Sequence, residues 1–322
     1  MKILANDGIS DEGKRVLQKA GYTVITDKVP QEQIIQFIQK EQVDMLLVRS
    51  ATNIRKEVID ACPSLKLLGR GGVGMDNIDV SYAKEKGLMV INTPSSSSQS
   101  VAELVMAQLY SVSRFLNDSY KNIDKEDFSV LKKRYAKGIE LRGKTIGIIG
   151  FGRIGQSLAS YCLASGMKVL AVDHNEKICK IPIDIDGVSP LFTEIQTHKD
   201  LNEILPKCDF LSIHVPKQSD GKAVITNKEF SLMKKGVRIV NSARGGVIDE
   251  QDLINAIDDG TVSFAALDVF ENEPNPKKEL LNHPQIACTP HIGAATLEAQ
   301  DRIGLELADI IIQHFGKVKV MS

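Results

Sequence analysis

The chain has 322 residues, with 40 Lys and Arg against 41 Asp and Glu, a formal net charge of −1 and 43% hydrophobic residues. It is long enough for two domains with separate cores, and its balanced charge argues against bulk electrostatic capture of nucleic acid or anionic lipid. Five scattered cysteines (Cys62, Cys162, Cys179, Cys208, Cys288), odd in number and without a CxxC pair, predict reduced thiols with neither a disulfide framework nor a metal site. The first ten residues, MKILANDGIS, lack the long apolar core of a signal peptide and read as a first strand. No run of about 18 apolar residues follows, so a soluble, cytoplasmic protein without a membrane partner is expected. Short apolar runs at 3–5, 23–25, 45–48, 67–68 and 89–91 alternate with amphipathic stretches at 11–20, 31–40, 55–61 and 80–86. Strands alternating with helices predict βαβ units and a parallel sheet, because a crossover helix must return the chain to start each parallel neighbour. Ser95–Ser98 reads as a hinge or turn, and Ser100-Val-Ala-Glu103 as a capping box opening a helix to about Leu116. Residues 121–144 are charge-rich with little periodicity, predicting a surface excursion or a segment that wraps a partner. Strands resume at 145–150, 168–173, 210–215, 237–241, 265–269 and 286–288, and a final helix is expected over 297–315, ending at Gly316.

Gly150-Phe-Gly152-Arg153-Ile154-Gly155 directly follows an apolar strand and opens a helix over 154–165. In a dinucleotide fold the first glycine allows the tight turn and the second lets the pyrophosphate approach the backbone. The third lets the helix pack closely on its strand, while the helix N-terminus favours phosphate charge. Asp173 ends the next strand, 18 residues after Gly155, where a carboxylate accepts ribose hydroxyls and repels a 2′-phosphate. The following His174 and Asn175 supply no arginine, so NAD is expected rather than NADP.

Three later segments end strands on polar residues: Asn241-Ser-Ala-Arg244-Gly-Gly, Asp268-Val-Phe-Glu271-Asn-Glu273-Pro274 and Thr289-Pro-His291-Ile-Gly293-Ala. Ligands of open parallel sheets bind beyond the carboxyl ends of the strands, which would gather Arg244, Asp268, Glu273 and His291 around a nicotinamide. Taken singly, His291 also reads as a loop cap, Glu273 as a turn residue and Arg244 as a surface ion-pair partner, although the two glycines beside Arg244 allow close backbone approach and favour function. Together they supply a fork for a carboxylate, a proton carrier and a carboxylate to orient it.

In this order, the glycine turn, NSARGGVID, LDVFENEP and TPHIGA resemble the D-isomer-specific 2-hydroxyacid dehydrogenase family along essentially the whole chain. The resemblance implies an α/β protein of two doubly wound parallel-sheet domains. In it a Rossmann NAD domain (99–293) is inserted into a flavodoxin-like substrate domain (1–98 and 294–322). It implies a catalytic triad of Arg244, Glu273 and His291. It implies cofactor contacts at Val73, Gly150, Gly152, Arg153, Ile154, Gly155, Asp173, Val215, Pro216, Ser242, Ala243, Asp268 and Gly293. Val73 and Val215 stand where other members often carry a hydroxyl. Arg49-Ser50-Ala-Thr and Gly69-Arg70-Gly71-Gly72 look most like the phosphoglycerate dehydrogenase branch, which opens phosphorylated serine biosynthesis. That likeness implies that Arg49, Ser50, Arg70, Gly71 and Gly72 receive the substrate's distal end. The alternatives are a glyoxylate or hydroxypyruvate reductase or another D-2-hydroxyacid dehydrogenase and, more remotely, a dinucleotide-sensing corepressor. The family pattern further implies a homodimer through about 99–144 and domain closure about 94–100 and 293–296. The end of the chain soon after Gly316 implies a form without a serine-binding regulatory domain.

Overall fold

The computed structural model describes residues 1–189 and 191–318. It divides into two compact units, Met1–Ser98 with Ala294–Ser322, and Gln99–Gly293. The last four residues of the predicted 294–322 segment lie outside the described residues.

In the first unit β1 (Lys2–Ala5), α1 (Asp11–Lys19), β2 (Thr23–Ile25), α2 (Ile34–Glu41), β3 (Met45–Val48), α3 (Lys56–Ala61), β4 (Leu67–Arg70), α4 (Val80–Glu85) and β5 (Met89–Asn92) alternate. The strands pair in parallel in the order β2-β1-β3-β4-β5, the flavodoxin-like arrangement. Both faces are covered, so the strands read as unbroken apolar runs. Leu4, Leu46 and Leu68 enter one core, and Ile3, Met45, Leu47 and Leu67 the other.

The second unit contains α5 (Ser98–Arg114), α6 (Leu116–Asn122), α7 (Phe128–Tyr135), β6 (Thr145–Ile149), α8 (Arg153–Ala164), β7 (Lys168–Val172), β8 (Ile178–Ile183) and β9 (Leu191–His198). It continues through β10 (Phe210–Ile213), α9 (Asn227–Phe230), β11 (Val237–Asn241), α10 (Glu250–Asp258), β12 (Val262–Leu267), α11 (Lys278–Asn282) and β13 (Ile286–Cys288). Its sheet runs β13-β12-β11-β10-β6-β7-β9-β8, parallel throughout except for the antiparallel β8–β9 hairpin. This is a doubly wound Rossmann sheet whose order reverses between β6 and β10.

The chain then returns to the first unit through α12 (Leu297–Phe315), whose start is capped by Thr296 accepting the Ala299 N–H at 3.1 Å. α12 lies against α1 so closely that a Cβ on Gly13 would stand 2.6 Å from the Gly304 carbonyl carbon. The two glycines permit that approach.

Three expectations change. The β8–β9 hairpin stands where no strand was read. Residues 121–144 are not featureless: α7 forms there, with Asp127 accepting the Ser129 and Val130 N–H groups and Leu131 buried. α5 starts at Ser98, so Ser100 lies inside the first turn rather than at the cap, and Glu103 accepts from Gln99 Nε2 and the Tyr161 hydroxyl, both at 2.9 Å. No helix among the described residues is long and apolar enough to cross a membrane.

Candidate active site

The turn after β6 meets the geometric demands of a dinucleotide. Gly150 has φ +89°, and a Cβ there would stand 2.6 Å from the His214 carbonyl oxygen at the end of β10. A Cβ on Gly155 would fall on the Gly150 carbonyl, so the third glycine sets how closely α8 packs on β6. The Cβ direction of Gly152 is open, with no atom within 4 Å, and Gly152 caps α8 without a side chain over the helix N–H groups. An anion can therefore approach those amides directly. Arg153 and Ile154 open the helix, and Val215 packs beside Gly150. The Pro216 carbonyl accepts from Gln218 Nε2.

Asp173 follows β7 directly, its N–H bonded to His198 O. Burial opposes its ionisation, but Lys177 Nζ at 2.9 Å and the His174 N–H at 2.7 Å outweigh it and hold its pKa below the usual carboxylate value. Lys177 is a cation the sequence reading passed over. A free dinucleotide fits this cradle: glycines clear the backbone, and a carboxylate stands at the end of the adjacent strand.

The polar cluster forms on the loops after β11, β12 and β13. Asp268 is 1% exposed and accepts from Thr289 Oγ1 at 2.6 Å, Ile292 N–H at 2.9 Å and Gly293 N–H at 2.9 Å. Its carboxylate thus anchors the turn that carries His291. That residue has φ +54°, a left-handed backbone uncommon outside glycine. His291 Nδ1 lies 2.8 Å from Glu273 Oε2, while Glu273 Oε1 accepts the Phe270 N–H at 2.9 Å. Burial tends to raise the Glu273 pKa. Its bonds to His291 and the Phe270 N–H, with the Arg244 charge, prevail and lower it. An ionised carboxylate only accepts, so Nδ1 carries the hydrogen, and in the neutral imidazole Nε2 then presents its lone pair.

Arg244 Nη1 donates to Ala243 O at 2.6 Å, and Asn241 holds this turn by accepting the Ala243 N–H and donating to Arg244 O. Ser242 Oγ donates to Gln108 Oε1 at 2.9 Å, and Gln108 Nε2 donates to Thr289 Oγ1 at 3.2 Å. Gln108, 5% exposed on α5, therefore ties the arginine turn to the histidine turn. Sequence reasoning missed it, although a lone amide within an apolar helical stripe was a signal.

Within the first unit, Arg70 ends β4, and Arg49, Ser50, Gly71, Gly72 and Val73 lie on the loops after β3 and β4. Asp7 accepts the N–H groups of Arg49 at 2.7 Å and Thr52 at 3.1 Å and the Thr52 hydroxyl at 2.7 Å, with Lys28 as its ion-pair partner. Asn77 Nδ2 donates to the Arg49 and Thr52 carbonyls. Burial lowers the Arg49 pKa and the nearby Asp7 charge opposes that. Gly72, at φ +140°, leaves room for the Arg70 guanidinium, which any Cβ there would strike. Among the described residues no group of three or more His, Cys, Asp or Glu side chains could hold a metal.

Residues 106–293 match the family described as D-isomer specific 2-hydroxyacid dehydrogenase, NAD binding domain. The chain is 38% identical over 319 residues to a hydroxypyruvate reductase of Thermotoga maritima, covering 98% of each. It is also 38% identical over 311 residues to a D-3-phosphoglycerate dehydrogenase of Methanocaldococcus jannaschii, covering 97% of this chain but 57% of that protein. Among solved structures, an NAD-dependent formate dehydrogenase from Staphylococcus aureus in complex with NAD aligns with TM-score 0.80 at 25% identity, covering 100% of this chain and 98% of the other.

Proposed function

From the premise that this chain belongs to the D-isomer-specific 2-hydroxyacid dehydrogenase family, we propose that it oxidises D-3-phosphoglycerate to 3-phosphohydroxypyruvate with NAD. The observation that carries the reaction type is the Glu273–His291 pair at 2.8 Å, in the same unit as a turn built for a dinucleotide. A nicotinamide bound there supplies the hydride acceptor for oxidation and the donor for the reverse. The protein's own groups handle the proton and the substrate charge. His291 Nε2 takes the proton of the hydroxyl on C2 as the C2 hydrogen leaves as hydride, while Glu273 holds Nδ1–H and stabilises the imidazolium that forms. In reduction the same imidazolium returns the proton to the carbonyl oxygen. Arg244 forks onto the substrate carboxylate and polarises the C2 oxygen. Arg49 and Arg70 supply the cations, and Ser50 the hydroxyl, that a distal phosphate requires, whereas the Gly71 and Gly72 amides, expected there too, already donate to Val48 O at 2.9 Å and Thr93 Oγ1 at 2.8 Å.

The whole-chain match to a hydroxypyruvate reductase supports a second reading, in which hydroxypyruvate or glyoxylate is the substrate. NADH oxidation with 3-phosphohydroxypyruvate, hydroxypyruvate and glyoxylate separates the two. The first reading expects the highest kcat/KM with the phosphorylated acid, and a loss of that preference in Arg49→Ala. Highest kcat/KM with hydroxypyruvate would install the second. No turnover of any 2-keto acid would sink both and leave a non-catalytic dinucleotide sensor.

A further inference from the structure

Glu250, the first residue of α10, is a carboxylate only 5% exposed. The helix start does not need it, because Asp249 already accepts the Gln251 and Asp252 N–H groups at 3.0 and 2.9 Å. A buried carboxylate is costly unless it is paired and bonded, so its location calls for a reason. Lys277 Nζ stands 3.0 Å from its Oε2 and 3.2 Å from Glu271 Oε2. Its Oε1 accepts the Glu271 N–H at 2.8 Å. The peptide held in this way, Phe270–Glu271, also bears on Gly245, where any Cβ would fall on the Phe270 carbonyl group. Gly245 directly follows Arg244. At the other end of the same turn, the Phe270 N–H donates to Glu273 Oε1, and Glu273 Oε2 meets His291 Nδ1.

We infer that Glu250 is a positioning residue for the reaction: by clamping the Phe270–Glu271 peptide onto Gly245 it sets Arg244 and the Glu273–His291 pair in mutual register. This rests on the proton-transfer reading above. Its operative feature is reach rather than charge. The glutamate carboxylate is one methylene longer than that of aspartate, and its Oε1 needs only to accept. Two near-isosteric variants of the full chain therefore separate position from electrostatics. Glu250→Asp keeps the charge but withdraws the acceptor from the Glu271 N–H. Glu250→Gln removes the charge but keeps an acceptor of the same length.

The experiment compares kcat against pH in the oxidative direction for both variants, with dinucleotide affinity by NADH fluorescence titration and His291→Ala in parallel. A misplacement of about 1 Å costs about 10²-fold in rate, so Glu250→Asp is expected to lose about 10–100-fold in kcat. The acid limb of its pH profile, set by the Glu273–His291 pair, moves to lower pH, while its NADH affinity stays at the wild-type value. Glu250→Gln stays within about 3-fold of wild type and keeps the wild-type profile. The inference is overturned if Gln is impaired while Asp is not, or if both keep the wild-type kcat and profile while His291→Ala is inactive. Full turnover in His291→Ala would instead remove the reading on which the inference rests.

Discussion

At the scale of single residues, the site is defined by which lone pairs are already spoken for. Glu273 uses one oxygen for the Phe270 N–H and the other for His291 Nδ1, so the imidazole can rotate little and Nε2 takes no part in that pairing. The left-handed backbone at His291 is held by Asp268, which takes the next two N–H groups in the chain. Strain of this kind persists only where neighbours over-determine it. His291→Ala should lower kcat by about 10²–10⁴-fold with NADH affinity intact; steady-state rates with fluorescence titration read both. Arg244→Lys keeps the charge but loses the planar fork. It should raise KM for the 2-keto acid and lower kcat without weakening NADH binding. Equal losses of NADH affinity and turnover would assign Arg244 to the dinucleotide instead.

At the scale of elements, loops at strand ends are fixed by side chains from other loops, and the Asp7 cluster shows the pattern within the first unit. Asp7 binds two N–H groups and a hydroxyl of the 49–52 loop, and Asn77 takes two of its carbonyls. Burial would raise the Asp7 pKa, but Lys28, Thr52 and the Arg49 N–H bring it below the usual carboxylate value. Its stabilisation is therefore complete above the ordinary carboxylate range and is lost as pH falls through the depressed native pKa. Asp7→Ala should cost about 2–4 kcal/mol at neutral pH, since it orphans buried donors to a charged acceptor. The gap to wild type should close on acidification. Urea unfolding at pH 7 and near pH 3 tests this, and a gap independent of pH would show that the charge is immaterial. The same interdependence explains what the sequence left hidden. The glycine turn was legible because backbone clearance dictates residue identity at fixed spacing. Gln108 and Glu250 were not, because their partners Ser242 and Glu271 lie 134 and 21 residues away. The β8–β9 hairpin was missed although buried Cys179 and Ile181 alternate with exposed Ile178, Lys180 and Pro182 and Asp186-Gly187 is a turn pair. The expectation of a crossover helix after β7 hid that two-residue period.

At the scale of the whole molecule, the exposed apolar side chains are unevenly spread. Tyr110, Leu116, Tyr120, Ile123, Phe128 and Val130 cluster on α5 to α7, with Tyr120 83% and Phe128 70% exposed. A second group, Ile178, Ile185, Val188, Leu191 and Phe192, lies on the β8–β9 hairpin. The hairpin carries devices that oppose edge pairing: Pro182 within the outer strand, and Lys180 Nζ 4.2 Å from the Phe192 ring centroid. Among the described residues, no cation stands over the Tyr120 or Phe128 ring of the helical group. Large apolar side chains left in water at this density favour a surface that a partner covers. We propose that a homodimer through residues 99–144 covers them, with α5 to α7 of each copy facing the other. Light scattering after size exclusion should then give twice the monomer mass. The double variant Tyr120→Glu and Phe128→Glu should give the monomer mass, because a charge set in each buried face is costly without a partner. Glutamates on the hairpin at Ile185 and Val188 should leave the dimer intact. A dimer that survives the helical variant and falls apart with the hairpin variant would move the interface to the outer strand, and a monomeric wild type would remove it altogether.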